Sequence, residues 1–513
     1  MMYFYMIADR PVAVATALLA VLLVWARFDE FAVGSMADDA VYAELARSIA
    51  EGRGPVLHLG MDERSVAPTT QPSGYPLLIS PVAWLFPDSL TALKLCSAAF
   101  YIAYLAVFNA LLTPCVERRT RLAVIALIAL NPWSIAYANR VFSESAYMLV
   151  SLGGAWFYDR WVRGRILSVD LAGLVLCLAF GAATRSIGFA LVLAVGLHLA
   201  YRRLWRHLGW WIPCQAALLG LLMAFSRPNG GSLVPGSYLD QLVGADAALF
   251  DRLSFIAWTL FYYLVEFAAL ALPVFGQAAA TLAMQQGLGG LYAVVAWSIG
   301  ALVLLGALLG ILRWRAAAAL QLLWLYQLIF LAVLCNWTFI PLDRPGGWTE
   351  LRLLIPLLPL VYLFATGGLQ QLAARLPRLT SALPLVLAAT LAMSAAHNAY
   401  RIKVPFREAR QAAGRGFIDY STGAAWIQAN TDRDAVVMTS SPLERHIHHN
   451  RPSIGYTTEW TRAQYLFIGP ADPNTPDALT PDDARLLEQV QSQPDRFRPT
   501  VSGATWHIFR VLH

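Results

Sequence analysis

Six side chains in this sequence are of the types that acid–base and phosphate chemistry needs: Asp38, Asp39, Glu144, Arg140, Arg185 and Arg352. Each lies where a long apolar run begins or ends. A charge at the edge of a bilayer is costly unless it has a partner or a task. A carboxylate there can take a proton from a hydroxyl or amine. An arginine can bind a phosphate through its planar fork and stabilise it as it leaves. The stretch Asp38-Asp39-Ala40-Val41-Tyr42 opens a long polar loop after the first apolar run. The residues from Ala43 predict a short amphipathic helix with Leu45, Ala46 and Ile49 on one face and Gly52 at its end. Helix capping is the structural alternative for Asp38. For the three arginines it is snorkelling or a structural ion pair.

The elements that position these residues are membrane spans. Of 513 residues, 58% are hydrophobic and 14% charged, and the mean hydropathy is +0.53. Soluble domains carry about a quarter charged residues. The composition therefore predicts a polytopic α-helical membrane protein rather than a globule with one anchor. The net charge of +6 comes almost wholly from arginine, since Lys94 and Lys403 are the only lysines. These arginines sit in short loops between apolar runs, the positive-inside arrangement, which argues against nucleic acid as a partner.

Spans read at 11–26 and at about 91–113, 121–138, 143–159, 168–183, 186–201, 208–226, 289–312, 316–337, 352–370 and 379–396. The first has no small-x-small cleavage pattern and is expected to stay uncleaved. Two further apolar runs are ambiguous. The run 75–86 is short and holds Pro76 and Pro81, so it is read as non-spanning. The run 254–275 holds Glu266 and Pro273 and is read as lying along the surface or re-entering. That choice keeps Arg313 and Arg315 on the same side as the loops around Arg118, Arg160 and Arg202. Eleven crossings result, or thirteen with both ambiguous runs and their return paths. Either odd number puts the tail on the Asp38 side.

The tail, 397–513, predicts a small α/β domain following a membrane domain, 1–396, with its external loop at about 27–74. Helices are expected at 423–430, 443–449 and 481–491, and strands at 435–439 and 465–468. A hairpin around Ser502-Gly503 closes it. The five cysteines form no CxxC pair and fit neither a metal site nor a disulfide framework. His446, His448 and His449 lack the spacing of helical metal ligands. The aromatic runs Trp210-Trp211 and Phe261-Tyr262-Tyr263 read as interface belts. No internal repeat is evident.

The order of motifs resembles the GT-C superfamily of polyprenyl-phosphate-sugar glycosyltransferases, in particular its protein O-mannosyltransferase and aminoarabinose-transferase branch. Asp38-Asp39-Ala40-Val41-Tyr42-Ala43-Glu44-Leu45-Ala46-Arg47 resembles that branch's Asp-Glu-x-x-Tyr-x-x-x-Ala-Arg loop. Gln71-Pro72-Ser73-Gly74-Tyr75-Pro76-Leu77 resembles its Pro-Pro-Leu segment, and Ser143-Glu144 the acid closing its third span. Arg352-Leu353-Leu354-Ile355-Pro356-Leu357-Leu358-Pro359 resembles its Arg-(x)-Leu-x-Pro-x-x-Pro span start. Asp39 stands where the branch has Glu. Val41 stands where aminoarabinose transferases have Arg, which argues against lipid A modification by that sugar.

The resemblance implies a bacterial inner-membrane glycosyltransferase that inverts the anomeric centre, with its catalytic loop and tail periplasmic. Asp38 would be the base, with Asp39 beside it and Glu144 orienting or assisting. Arg185 and Arg352, with Arg140 and Tyr42, would bind substrate. The donor would be a polyprenyl-phosphate-linked sugar, and the acceptor a membrane lipid, glycan or protein. No cofactor is implied; a divalent metal, used by related oligosaccharyltransferases, is not favoured for this branch. The main alternative is a transporter or lipid-linked sugar flippase, which would favour charges near mid-membrane and a repeat relating two halves.

Overall fold

The computed structural model describes residues 10–28, 33, 37–57, 71–87, 89–164, 166, 168–226, 249–275, 282–336, 352–403, 422–439, 451–454, 460–469, 481–503 and 506–512. The histidine cluster at 446–449, the expected helix over 443–449, Arg344, and most of the loop after Arg227 lie outside the described residues.

The helices in chain order are α1 (Arg10–Ala26), α2 (Ala37–Ala50), α3 (Gly74–Leu85), α4 (Leu90–Leu112), α5 (Arg118–Leu130), α6 (Pro132–Ala138), α7 (Ser143–Arg163), α8 (Val169–Thr184), α9 (Phe189–Tyr201), α10 (Trp205–Phe225), α11 (Leu249–Ala271), α12 (Gly289–Trp314), α13 (Ala318–Cys335), α14 (Leu358–Arg375) and α15 (Pro377–Lys403). Among the described residues, six helices are long and apolar enough to cross a bilayer, and α5 with α6 forms a seventh candidate bent by 58° at Asn131. The Asn131 side chain caps α6 by accepting from the Trp133 and Ser134 amides. Helices α1 and α8 fall just short of the usual span length, at 17 and 16 residues. The chain is a polytopic helical membrane protein.

The run 254–275, read as lying along the surface or re-entering, does not lie exposed along its whole length. It belongs to α11, one continuous helix of 23 residues, apolar enough to span. Its last turns are buried: Tyr263, Phe267, Ala268 and Leu270 are fully covered. Asn131 and Trp133 donate to its Leu270 and Ala269 carbonyls. The aromatic runs also divide differently from an interface belt. Trp210 faces outward, whereas Trp211, Tyr262 and Tyr263 are buried.

Arg315 nevertheless lies with the other basic loops. Gln321 at the start of α13 donates to the Arg315 carbonyl, and its own carbonyl oxygen is 3.1 Å from His198 Nε2 and 3.3 Å from Arg202 Nη1. Gln370 near the end of α14 donates to Thr120, at the start of α5, at 2.6 Å. Arg160 pairs with Asp170 at 2.9 Å across the α7–α8 turn. One end of the bundle thus collects the short arginine loops. The 21 residues of α7 separate that end from Glu144 by about 30 Å at 1.5 Å per residue.

Helix α14 is anchored by close backbone contact with α12. A Cβ on Gly310 would meet the Phe364 carbonyl at 2.0 Å, and one on Gly368 the Gly306 carbonyl at 2.1 Å. Small residues give membrane helices this approach, and it anchors α14, whose start follows the turn after Arg352.

The tail has helix α16 over 422–430, α17 (Pro481–Gln491), and a five-stranded sheet. Its strands are β1 (Val437–Thr439), β2 (Ser453–Ile454), β3 (Tyr465–Ile468), β4 (Phe497–Ser502) and β5 (His507–Val511), in the order β2-β1-β3-β5-β4. The first three are parallel, and the β4–β5 hairpin adds antiparallel to β3. Met438, Leu466, Ile468 and Phe509 cover one face, and Val437, Phe467, Ile508 and Trp506 the other. The short strand β2 had no signal in the sequence. Helix α15 runs on to Lys403, past the expected boundary at 396.

Candidate functional site

Asp38 and Asp39 stand within the first turn of α2, which starts earlier than the spacing implied. Both carboxylates therefore meet the positive end of the helix dipole. The helix closes with the Gly52 amide on the Ile49 carbonyl and the Arg53 amide on Ser48, Gly52 taking φ +77°. The two acids then diverge by about 100° around the helix. Asp38 reaches the cluster described below, while Asp39 is fully buried.

Two contacts seat α2. Tyr42, one turn after Asp38, packs edge-on against Tyr75 of α3 at 5.1 Å, and its hydroxyl lies 3.5 Å from Ser143 Oγ at the start of α7. Burial and the nearby Asp38 carboxylate push the Tyr42 hydroxyl up to about 12, so it stays protonated. Helix α3 starts hard against the end of α8: a Cβ on Gly74 would meet the Ala183 carbonyl carbon at 2.4 Å. That approach brings Gln71 beside Asp38 and places the chain end of α8, Arg185, in the same region.

The charged groups meet here. Gln71 Nε2 donates to Asp38 Oδ1 at 2.7 Å. Arg352 Nη1 donates to Asp38 Oδ2, and Arg352 Nε donates to Glu144 Oε1. Arg185 Nη1 donates to the same Glu144 oxygen at 2.5 Å. One carboxylate thus holds two guanidinium groups, and one of these bridges to the second carboxylate. Glu144 is fully buried, and Arg352 and Arg185 are 13% and 12% exposed. The second oxygen of Glu144 is buried with no hydrogen-bond partner among the described residues. Phe142 carries the Arg352 guanidinium over its ring at 4.2 Å, a contact of about 0.5–2 kcal/mol. Arg140 is buried and lies 5.6 Å from the same ring. Burial raises the Asp38 carboxyl, but the charge and hydrogen bond of Arg352, with Gln71 and Arg185, outweigh it and hold the group below the usual carboxylate range.

Taking four charges out of water costs several kcal/mol per ion, and a hydrophobic cluster would stabilise the fold at least as well. A buried network of this kind, at the end of spans and opening through Asp38, points to chemistry. The structure brings together Asp38, Glu144, Arg185 and Arg352, with Tyr42 and Arg140 at the margin. It adds Gln71, Phe142 and Gly74, which the residue types alone did not single out. Gln71 opens the Pro-Pro-Leu-like segment, and Phe142 lies between Arg140 and Glu144, so position was the available signal for both. Among the described residues, no three His, Cys, Asp or Glu side chains converge as a metal site.

No protein-family model and no curated protein sequence matches the chain. Solved structures do. Archaeal oligosaccharyltransferase AglB from Archaeoglobus fulgidus, in complex with an inhibitory peptide and a dolichol-phosphate, aligns with a TM-score of 0.54 at 11% identity, over 91% of this chain and 70% of that one. An Archaeoglobus fulgidus oligosaccharyltransferase tethered to an acceptor peptide gives 0.52 at 13% identity, over 95% of this chain and 68% of that one. ArnT from Cupriavidus metallidurans, bound to undecaprenyl phosphate, aligns over 97% of both chains at 11% identity, but its TM-score of 0.48 carries no weight. At these identities the likeness is one of fold: over more than nine-tenths of its length the chain folds as the oligosaccharyltransferase structures do.

Proposed function

We propose that the chain is a membrane glycosyltransferase that moves a sugar from a polyprenyl-phosphate donor to a lipid, glycan or protein acceptor. The observation that carries this reading is Arg352 held between Asp38 and Glu144, with Arg185 on the same Glu144 oxygen. Two guanidinium groups gathered on one buried carboxylate form a ready clamp for a phosphate. The AglB structures, which hold a dolichol-phosphate in one case and an acceptor peptide in the other, share the fold and support the same chemistry here.

In this reading, Asp38 takes the proton of the acceptor hydroxyl or amine as the acceptor atom bonds to the anomeric carbon. The bond from that carbon to the phosphate oxygen breaks, and its electron pair leaves with the polyprenyl phosphate. Arg352 and Arg185 stabilise the charge that develops there. A single displacement inverts the anomeric centre. Glu144 holds the two arginines at one spacing, and its partnerless oxygen is left to accept a hydroxyl or amine of the substrate. The positive charge between the two carboxylates is supplied by Arg352. The proposed setting is a bacterial inner membrane with the cluster and tail on the periplasmic face; the arginine loops gathered at the opposite end support that orientation.

Comparing lipid-linked sugars and envelope glycans between a deletion strain and its complemented parent tests the function. Loss of the gene should leave a polyprenyl-phosphate sugar accumulated and one glycan modification missing. The same missing modification with the donor accumulated on the cytoplasmic rather than the periplasmic leaflet would support a flippase instead.

A further inference from the structure

The contacts of Asp38 tie up the proposed base. Asp38 accepts from Gln71 through one oxygen and from Arg352 through the other. A carboxylate held this way is a poor proton acceptor. The same guanidinium is the group that a donor phosphate needs. Its two partners are unequal: Glu144 is fully buried, whereas the Asp38 side chain is 31% exposed. An anion arriving from outside therefore meets Arg352 on the Asp38 side, while the Glu144 bond stays covered.

We propose, building on the function above, that the donor phosphate displaces Asp38 from Arg352 and so frees Asp38 to act as base only when donor is bound. Arg352 keeps its bond to Glu144 and its place over Phe142, and exchanges one anion for another. The groups that remain around Asp38 are Gln71, the Tyr42 hydroxyl, Glu144 and Arg185. With Arg352 turned to the phosphate, the largest opposite charge on Asp38 is withdrawn. An empty site thus keeps its base quiet, and acceptor is activated only beside a loaded donor.

Competition for one guanidinium is a coupling between two sites and must be reciprocal. Removing the competitor should tighten phosphate binding. The test is titration of the full chain in nanodiscs with undecaprenyl phosphate. Asp38→Asn should bind it roughly tenfold more tightly than wild type, within the usual range of such couplings. Asp39→Asn removes the same charge one residue away and should change binding less than twofold. In an Arg352→Gln background the Asp38→Asn effect should shrink at least threefold. Equal tightening by Asp38→Asn and Asp39→Asn would overturn the exchange, because charge alone would then explain it. Weaker binding by Asp38→Asn would overturn it too, since Asp38 would then be holding Arg352 in its phosphate-binding pose. Absence of any binding to the wild-type chain would overturn both this inference and the function on which it rests.

Discussion

At the scale of single residues, the carboxylate pair behaves as two unlike groups. Asp38 meets Arg352 and Gln71, and Asp39 turns into the protein. Asp38→Asn should lower turnover by ~10²–10⁴, the usual worth of a general base, and Asp39→Asn should cost less; steady-state assay of both variants checks the order. The pH profile carries a second expectation. Asp38 acts as its carboxylate, and its folded-state value is depressed, so activity is present above that value and lost as pH falls through it. The acid limb of kcat/KM, which reports the free enzyme, should lie below the ordinary carboxylate range. If donor releases Asp38 from Arg352, the acid limb of kcat should lie at higher pH than that of kcat/KM. Coincident limbs would mean that the Asp38 environment does not change on loading. Residue types made Asp38, Glu144, Arg185 and Arg352 legible in the sequence, because charges at span ends stand out. Gln71 and Phe142 were not, because a glutamine and a phenylalanine are ordinary at such positions. What makes them part of the site is a hydrogen bond and a ring contact across 33 and 210 residues of chain.

At the scale of elements, apolar runs of about twenty residues gave most helices within a few residues, since backbone groups in a bilayer must pair within a helix. What the runs did not reveal was where helices break. The breaks fall at Asn131, at the 3-10 turn Ser186–Gly188 beside Arg185, and at the one over Ile355–Leu357 after Arg352. Glu266 and Pro273 suggested a segment that lies along the surface or re-enters; Pro273 in fact follows α11, and Glu266 is buried. The seating of α3 on α8 gives the test at this scale. Gly74→Ala would push its new carbon into the Ala183 backbone, at a cost of about 1–3 kcal/mol for overpacking. The variant should show a lower Tm in detergent and a loss of turnover larger than Ser73→Ala gives, because Gln71 and Arg185 move with the two helix ends. Full activity in Gly74→Ala would show that this contact does not position the site.

At the scale of the whole molecule, charge is sorted by end. Arg118, Arg160, Arg202, Arg315 and Arg375 lie with one set of helix ends, and the Asp38–Arg352–Glu144–Arg185 cluster with the other. Reporter fusions after Tyr201 and after Arg315 should therefore be active on the same side, the cytoplasm, and a fusion after Lys403 on the opposite side. A split between Tyr201 and Arg315 would contradict the packing around Gln321. The central claim is that Arg352 grips the donor phosphate and Asp38 takes the acceptor's proton, so the two should fail in different ways. The most direct measurement gives each variant the polyprenyl-phosphate sugar accumulated by a deletion strain and reads donor affinity and single-turnover transfer separately. Arg352→Ala should weaken donor binding strongly and Arg352→Lys only in part, because lysine keeps the charge but loses the planar fork. Asp38→Asn should bind donor at least as well as wild type and fail to transfer. Normal transfer by Asp38→Asn, or unchanged donor affinity in a folded Arg352→Ala, would contradict the account.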